Sequence, residues 1–231
     1  MIRRRIREIW PNMNDLSVLG LGFATPYLRP FRGQAERVVA AMPANQGVVH
    51  WPEAAPSLVS LAEEDELPFA DASFDCVLMI HALETSERVR PLLREVWRVM
   101  TAQGRLLAVV PNRRGIWAHF ERSPFGHGHP YSPPQVVRLL RDTMFSPGPA
   151  TGALYLPPVD RPIVLRTAPA FEKLGGRWLS ALSGVLIVEA TKQIYAATPE
   201  RARRRRRLLV PLPRSTAAAA RAAARHSDSY P

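Results

Sequence analysis

Gly20, Gly22 and Ala24 alternate with Leu21 and Phe23 in the stretch Ser17-Val18-Leu19-Gly20-Leu21-Gly22-Phe23-Ala24-Thr25-Pro26-Tyr27. Residues without bulk at that spacing leave the main chain open to close approach by a ligand. Val18, Leu19 and Leu21 make an apolar run too short for a helix, which predicts a buried strand leading into the loop. Thr25 and Pro26 then read as an N-cap and a first helical residue, where proline's missing N–H is harmless. A strand, a small-residue loop and a helix start form the nucleotide cradle of doubly wound α/β folds. The plainer alternative is a small-residue turn that holds no ligand.

Two groups of histidines could move protons. His81 follows the apolar run Phe74–Ile80 in Ile80-His81-Ala82-Leu83-Glu84, and an imidazole titrates near neutrality. It is a candidate base or a pocket-lining residue. His127 and His129 lie in Pro124-Phe125-Gly126-His127-Gly128-His129-Pro130-Tyr131. A metal needs further ligands beside such a pair, so none is expected. The glycines suit a loop folding over a substrate, with His129 as a second catalytic candidate; a rigid turn is the alternative. Arg113-Arg114 could hold an anionic acceptor, or be merely solvated. Trp117, Phe120, Phe125 and Tyr131 could line an acceptor cavity, although packing is their default role. Cys76, inside Cys76-Val77-Leu78-Met79-Ile80, reads as core and not as a nucleophile.

The elements that must position these residues follow from periodicity. A basic, amphipathic helical remnant over 1–12 stops at Pro11. Strands are expected at Ser17–Gly20, Arg37–Met42, Leu58–Ala62, Phe74–Ile80, Arg105–Val110, Ala153–Leu156 and Val185–Ala196. Pro43, Pro52 and Pro56 argue against a crossover helix over 43–57. Val89, Leu92, Leu93, Val96, Trp97 and Met100 give one apolar helix face within 86–100, which Gly104 would cap. Ser132 and Gln135 form a capping box opening a helix to Met144, and a last helix is expected over 168–182. Strands alternating with helices predict a doubly wound, mostly parallel α/β sheet, with ligands at the carboxyl ends of its strands.

The net charge of +11 invites a nucleic-acid reading, but its distribution limits that reading to the ends. Residues 9–200 hold 18 Lys and Arg against 18 Asp and Glu, whereas residues 201–231 carry nine Arg and one Asp. Residues 13–198 read as the folded domain, and the Arg-, Ala- and Pro-rich tail over 199–231 as disordered. Any contact of that tail with nucleic acid or an acidic partner would be an accessory. A single cysteine fits a reducing, cytoplasmic compartment, and no apolar run is long enough for a membrane span.

Four segments carry a resemblance. Asp65-Glu66-Leu67-Pro68-Phe69-Ala70-Asp71-Ala72-Ser73-Phe74-Asp75 comes first, then Leu93-Arg94-Glu95-Val96-Trp97-Arg98-Val99-Met100. Gly104-Arg105-Leu106-Leu107 and Val110-Pro111-Asn112 complete the series. In this order they resemble class I S-adenosylmethionine-dependent methyltransferases of the type 11 group. The resemblance runs through residues 16–112 and, more loosely, 131–197. It implies a seven-stranded Rossmann-like sheet, S-adenosylmethionine as cofactor, and methyl transfer to a small-molecule acceptor.

The resemblance also assigns residues. The family's acidic-x-Gly-x-Gly-x-Gly loop corresponds to Gly20, Gly22, Ala24 and Pro26, so the acid is absent and two glycines are replaced. Its ribose-holding carboxylate at the end of the second strand corresponds to Met42, which cannot accept those hydrogen bonds. Glu63 falls where the family has an acid near the adenine, with Glu64 beside it, and His81 falls where substrate would meet cofactor. A domain of this kind that has lost catalysis and serves as a binding or scaffold module is the competing expectation. The Asn/Asp-Pro-Pro-aromatic motif of nucleobase amino-group methyltransferases is absent, which disfavours that substrate class.

Overall fold

The computed structural model describes residues 1–44, 47–115, 128–154 and 183–194. Within the compact unit Met1–Ala196, an eight-stranded sheet has the order β3-β2-β1-β4-β5-β8-β6, with β7 also paired to β8. Strands β1 (Ser17–Gly22), β2 (Arg37–Pro43), β3 (Val59–Ala62), β4 (Phe74–Ile80) and β5 (Met100–Pro111) are mutually parallel. Strand β8 (Val185–Lys192) runs antiparallel to β5, and the short β6 (Phe145–Pro147) and β7 (Thr151–Ala153) pair with β8. β1 lies between β2 and β4, so the chain crosses from one side of β1 to the other between β3 and β4. That crossing defines the switch point at the carboxyl ends of β1 and β4, where such sheets leave a crevice.

Alternation along each strand feeds two cores, one on each face. Leu19, Leu21, Val77, Met79, Leu106 and Ala108 face one side, with Leu92, Leu93 and Val96 of helix α3 (Val89–Val99) and Val136 and Leu140 of helix α4 (Pro133–Asp142). Val18, Cys76, Leu78, Ile80, Leu107 and Val109 face the other, with helix α1 (Ile2–Ile9) and helix α2 (Thr25–Leu28). Helix α1 buries Ile2 and Ile6 and is followed by buried Trp10, whose indole N–H donates to Glu189 Oε1 at 2.9 Å. Its arginines stay outward because only one stripe of the helix meets the core. Cys76 is buried in β4, and burial pushes its thiol up to about 11, so the thiolate is disfavoured near neutrality.

Several boundaries differ from expectation. The sheet has eight strands instead of seven because 145–153 contributes two short strands. Expectation placed one at Ala153–Leu156, but Leu154 turns left-handed (φ +65) and ends β7 at Ala153. Gly104 caps nothing: α3 passes straight into β5 at Met100, and Gly104 lies inside that strand. A Cβ on Gly104 would sit 3.0 Å from Met100 Cε and from the Thr101 carbonyl. The capping box of Ser132 and Gln135 is present, with the Ser132 N–H donating to Gln135 Oε1 at 2.9 Å. The expected helix over 168–182, His127, Trp117, Phe120, Phe125 and the tail from 199 lie outside the described residues. Among the described residues no helix is long and apolar enough to cross a membrane.

Candidate cofactor and acceptor site

At the end of β1 both glycines answer to close approach. A Cβ on Gly20 would come within 2.5 Å of Leu28 Cδ1 and 2.8 Å of Ala24 Cβ, so the missing side chain lets α2 close onto the strand. Gly22 has φ +70, and a Cβ there would meet the Ile80 carbonyl at 2.5 Å. The next N–H, on Phe23, donates to that carbonyl at 2.9 Å, and the Ala24 N–H donates to Gly22 O at 2.8 Å. The loop is thus drawn tightly against the tip of β4. Met42, at the end of β2, is buried and offers no acceptor.

The segment after β3 is held by one arginine. Arg98 on α3 donates to the carbonyls of Leu67 and Phe69 at 2.9 and 2.8 Å, and pairs with Glu95 and Asp71 at 2.7 and 2.6 Å. Glu95 in turn accepts the Leu67 N–H at 2.9 Å. The Arg98 hydrogen bond holds the Glu95 carboxyl below its ordinary range. Glu64 accepts from the Ser86 hydroxyl at 2.6 Å, which ties this segment to the one after β4. Glu63 is exposed, and Arg88 pairs with Asp65. Ala44, Glu63, Glu64, Asp65, Glu87 and Arg88 line an open cleft of about 250 Å³. Glu63 and Glu64 also border a far smaller void, about 10 Å³, walled by apolar Leu21, Ala41, Ala62, Leu67, Ala82 and Leu92.

After β4 the chain behaves differently. His81 adopts φ +53, a left-handed conformation costing about 1–2 kcal/mol outside glycine. Its Nδ1 lies 2.5 Å from Glu84 Oε1, and the two side chains are only 15% and 2% exposed. The other Glu84 oxygen is buried with no hydrogen-bond partner among the described residues. The segment 128–131 covers this turn. The His129 N–H donates to Glu84 O at 2.8 Å, and the Tyr131 hydroxyl donates to Leu83 O at 3.3 Å. Gly128 stands at φ +80, and a Cβ there would sit 2.3 Å from the same Glu84 carbonyl, so both its backbone and its surroundings call for glycine. Burial, with the nearby Glu84, raises the Tyr131 phenol above its ordinary value.

The structure therefore sorts the sequence candidates. Gly20, Gly22, Ala24, Glu63, Glu64 and His81 stand at the carboxyl ends of adjoining strands. Met42 is there too but turned into the interior. His129 reaches the site through its main chain while its side chain is exposed. Arg113 and Arg114 are exposed, and Asn112 is buried against Ser183, its Nδ2 donating at 3.1 Å. Sequence reasoning passed over Glu84; the signal was a carboxylate three residues beyond a histidine at a strand end. Among the described residues no three His, Cys, Asp or Glu side chains cluster as metal ligands.

These residues fit an adenosine-bearing ligand in part. Glu63 and Glu64 put carboxylates on the open cleft, whereas the apolar void beside Leu21, Ala41 and Ala62, at about 10 Å³, has no room for a ring as it stands. Met42, at the position the resemblance gives to a ribose-holding carboxylate, is buried. Residues 19–108 match the family model described as a methyltransferase domain, type 11. That stretch is a class I methyltransferase domain, and its cofactor is S-adenosylmethionine.

Solved structures share the fold. One is an S-adenosylmethionine-dependent methyltransferase of Archaeoglobus fulgidus, 18% identical over 83% of this chain and 93% of that one, with a TM-score of 0.60. A second, from Mesorhizobium loti, is 15% identical over 82% and 96%, with a TM-score of 0.59. The cyclase SpnF also has this fold, at 18% identity over 84% and 80%, with a TM-score of 0.51. No curated protein matches the chain in sequence.

Proposed function

We propose that this chain moves the methyl group of S-adenosylmethionine onto a small-molecule acceptor, in the crevice beyond the carboxyl ends of β1 to β4. One observation carries the reading: the β1 loop, the acids after β3 and the His81–Glu84 turn after β4 converge at the switch point of the sheet. The cofactor supplies a methyl carbon already activated by its sulfonium. The protein contributes alignment, exclusion of water and a place for any proton that must leave. The main chain at Gly20, Gly22 and Ala24 would border the methionine end of the cofactor. Met42, Glu63 and Glu64 would border the adenosine, and His81 the junction with the acceptor. Absence of one charge-assisted hydrogen bond at Met42 removes about 1.5–3 kcal/mol, which weakens binding by about one to two orders of magnitude and does not abolish it.

Titration calorimetry and thermal unfolding with S-adenosylmethionine and S-adenosylhomocysteine test this reading. Heat of binding and a raised melting temperature are expected with both. Neither heat nor stabilisation at millimolar concentration overturns it, and leaves a methyltransferase-like scaffold.

A further inference from the structure

We propose that Arg113 and Arg114 form an oxyanion-binding turn at the acceptor end of the crevice, and that the methyl acceptor therefore carries a carboxylate or a phosphate. The inference rests on the methyl-transfer reading above and adds the class of acceptor to it.

Three observations meet at the end of β5. The first is construction. The Arg113 N–H donates to Tyr131 O at 2.9 Å, the Arg114 N–H to Asn112 Oδ1 at 3.1 Å, and the Gly115 N–H to Asn112 O at 2.8 Å. Asn112 is buried, and its Nδ2 donates to Ser183 Oγ at 3.1 Å. A Cβ on Gly115 would sit 2.2 Å from the Ser183 carbonyl, so the turn is pressed against the chain beneath it. Its main chain is thus fixed from below, while Arg113 and Arg114 stay exposed. A guanidinium anchored at its root loses less freedom on meeting an anion than one on a loose segment.

The second is charge. Neither Arg113 nor Arg114 has an ion pair or a side-chain hydrogen bond among the described residues, whereas Arg88, Arg90, Arg98, Arg105 and Arg138 each meet a carboxylate. Two neighbouring cations with no acid beside them attract an anion more strongly than either alone.

The third is place. β5 lies beside β4, and the His81 N–H donates to Val109 O at 3.2 Å. Tyr131, whose carbonyl accepts the Arg113 N–H, donates its hydroxyl to Leu83 O at 3.3 Å. One bridging residue therefore joins the arginine turn to the turn after β4. The sign of charge inverts along this rim of the sheet. Glu63, Glu64 and Asp65 follow β3, the mixed Glu87-Arg88 follows β4, and Arg113-Arg114 follows β5. Such a rim draws a sulfonium cofactor and an anionic acceptor to different places.

Arginine's planar fork offers two parallel N–H bonds to a carboxylate or a phosphate. With that group held at the end of β5, the rest of a small acceptor reaches back toward the switch point, where its reacting atom lines up with the methyl carbon and sulfur. The anion is held and not methylated, so Arg113 and Arg114 are binding residues that do not touch the reacting atoms.

The test reads the guanidiniums directly. Protein labelled with nitrogen-15 in arginine and saturated with S-adenosylhomocysteine is titrated with inorganic phosphate, and separately with benzoate, at constant ionic strength in chloride. Arg113→Gln and Arg114→Gln assign the two Nε–H signals. Both signals are expected to shift saturably, while those of the exposed Arg94 and Arg141 stay in place. Each substitution should weaken anion binding about tenfold and leave the anion-free melting temperature unchanged. The anion that saturates at the lower concentration identifies which of the two groups the acceptor carries. Shifts no larger at Arg113 and Arg114 than at Arg94 and Arg141 overturn the proposal, as does anion binding that survives both substitutions together.

A second readout incubates the protein and tritiated S-adenosylmethionine with a small-molecule cell extract. Labelled product is expected to be retained by an anion exchanger at pH 8. Product that is only neutral or cationic overturns the proposal, and where no product is labelled the titration decides. Absence of S-adenosylhomocysteine binding in calorimetry refutes the methyl-transfer reading, and this inference with it. Cofactor binding without an anion response at Arg113 and Arg114 refutes this inference alone.

Discussion

The two turns flanking the cofactor crevice are built on opposite terms. After β3, every strong polar group of the Arg98 cluster is matched, its guanidinium meeting two carbonyls and two carboxylates. After β4, the buried Glu84 carboxylate keeps an oxygen without a hydrogen-bond partner among the described residues, while a left-handed residue stands in each segment, Ala72 and His81. Satisfied networks rigidify a fold, whereas strain and unmet polar groups lower stability and survive where they serve another purpose. We propose that the Arg98 cluster serves as scaffold and that the turn after β4 belongs to the site. The motif segments that carry the family resemblance, 65–75 and 93–100, belong to the scaffold.

The largest way to break this contrast is Arg98→Ala. Removal of the guanidinium leaves Glu95 and the Leu67 and Phe69 carbonyls unmatched, and should destabilise the domain by about 3 kcal/mol in denaturant titration. A loss below about 1 kcal/mol would show that the segment after β3 does not depend on it.

Gly128→Ala comes next. The new Cβ would press on the Glu84 carbonyl from a left-handed backbone. A cost of about 2 kcal/mol is expected, with hydrogen-exchange protection falling at the Glu84–His129 contact. Unchanged protection there would separate the cover from the turn.

The finest test is one substitution made twice. Glu95→Gln weakens a matched pair and should lower stability by about 1 kcal/mol, while Glu84→Gln removes an unbalanced buried carboxylate and should raise it by about 1 kcal/mol. Equal signs would erase the distinction between scaffold and site. A pH dependence accompanies it. The folded Glu95 carboxyl lies below its ordinary range, so its contribution is present above its unfolded pKa and is lost as pH falls through the lower, folded value. Thermal unfolding across the acid range should show that slope flattened in Glu95→Gln.

Much of this was open to reading along the chain, because the determining interactions are local. The two-residue alternation that makes β1, β4 and β5, and the apolar stripe of α3, depend on neighbours within a turn or a strand. So does the pairing of Ser132 with Gln135. The family was also legible, since segments 65–75 and 93–100 keep the order of a known domain even where Gly20 replaces its acid and Met42 its carboxylate.

Other features depend on parts of the chain far apart in sequence. Gly22 is crowded by the Ile80 carbonyl and Gly128 by the Glu84 carbonyl, and Leu67 is held by Arg98, across gaps that no local pattern reports. Gly104 looked like a helix cap because a cap and a strand glycine read alike until β5 is placed beside β4. His81 and Glu84 are only three residues apart, yet their meaning came from burial: the sheet and the segment at 128–131 remove water from that turn. Sequence alone determined the class of domain and the strand ends where a ligand would lie. Only the tertiary structure decided which carboxylate there is satisfied and which is not, because desolvation is a property of the packed whole.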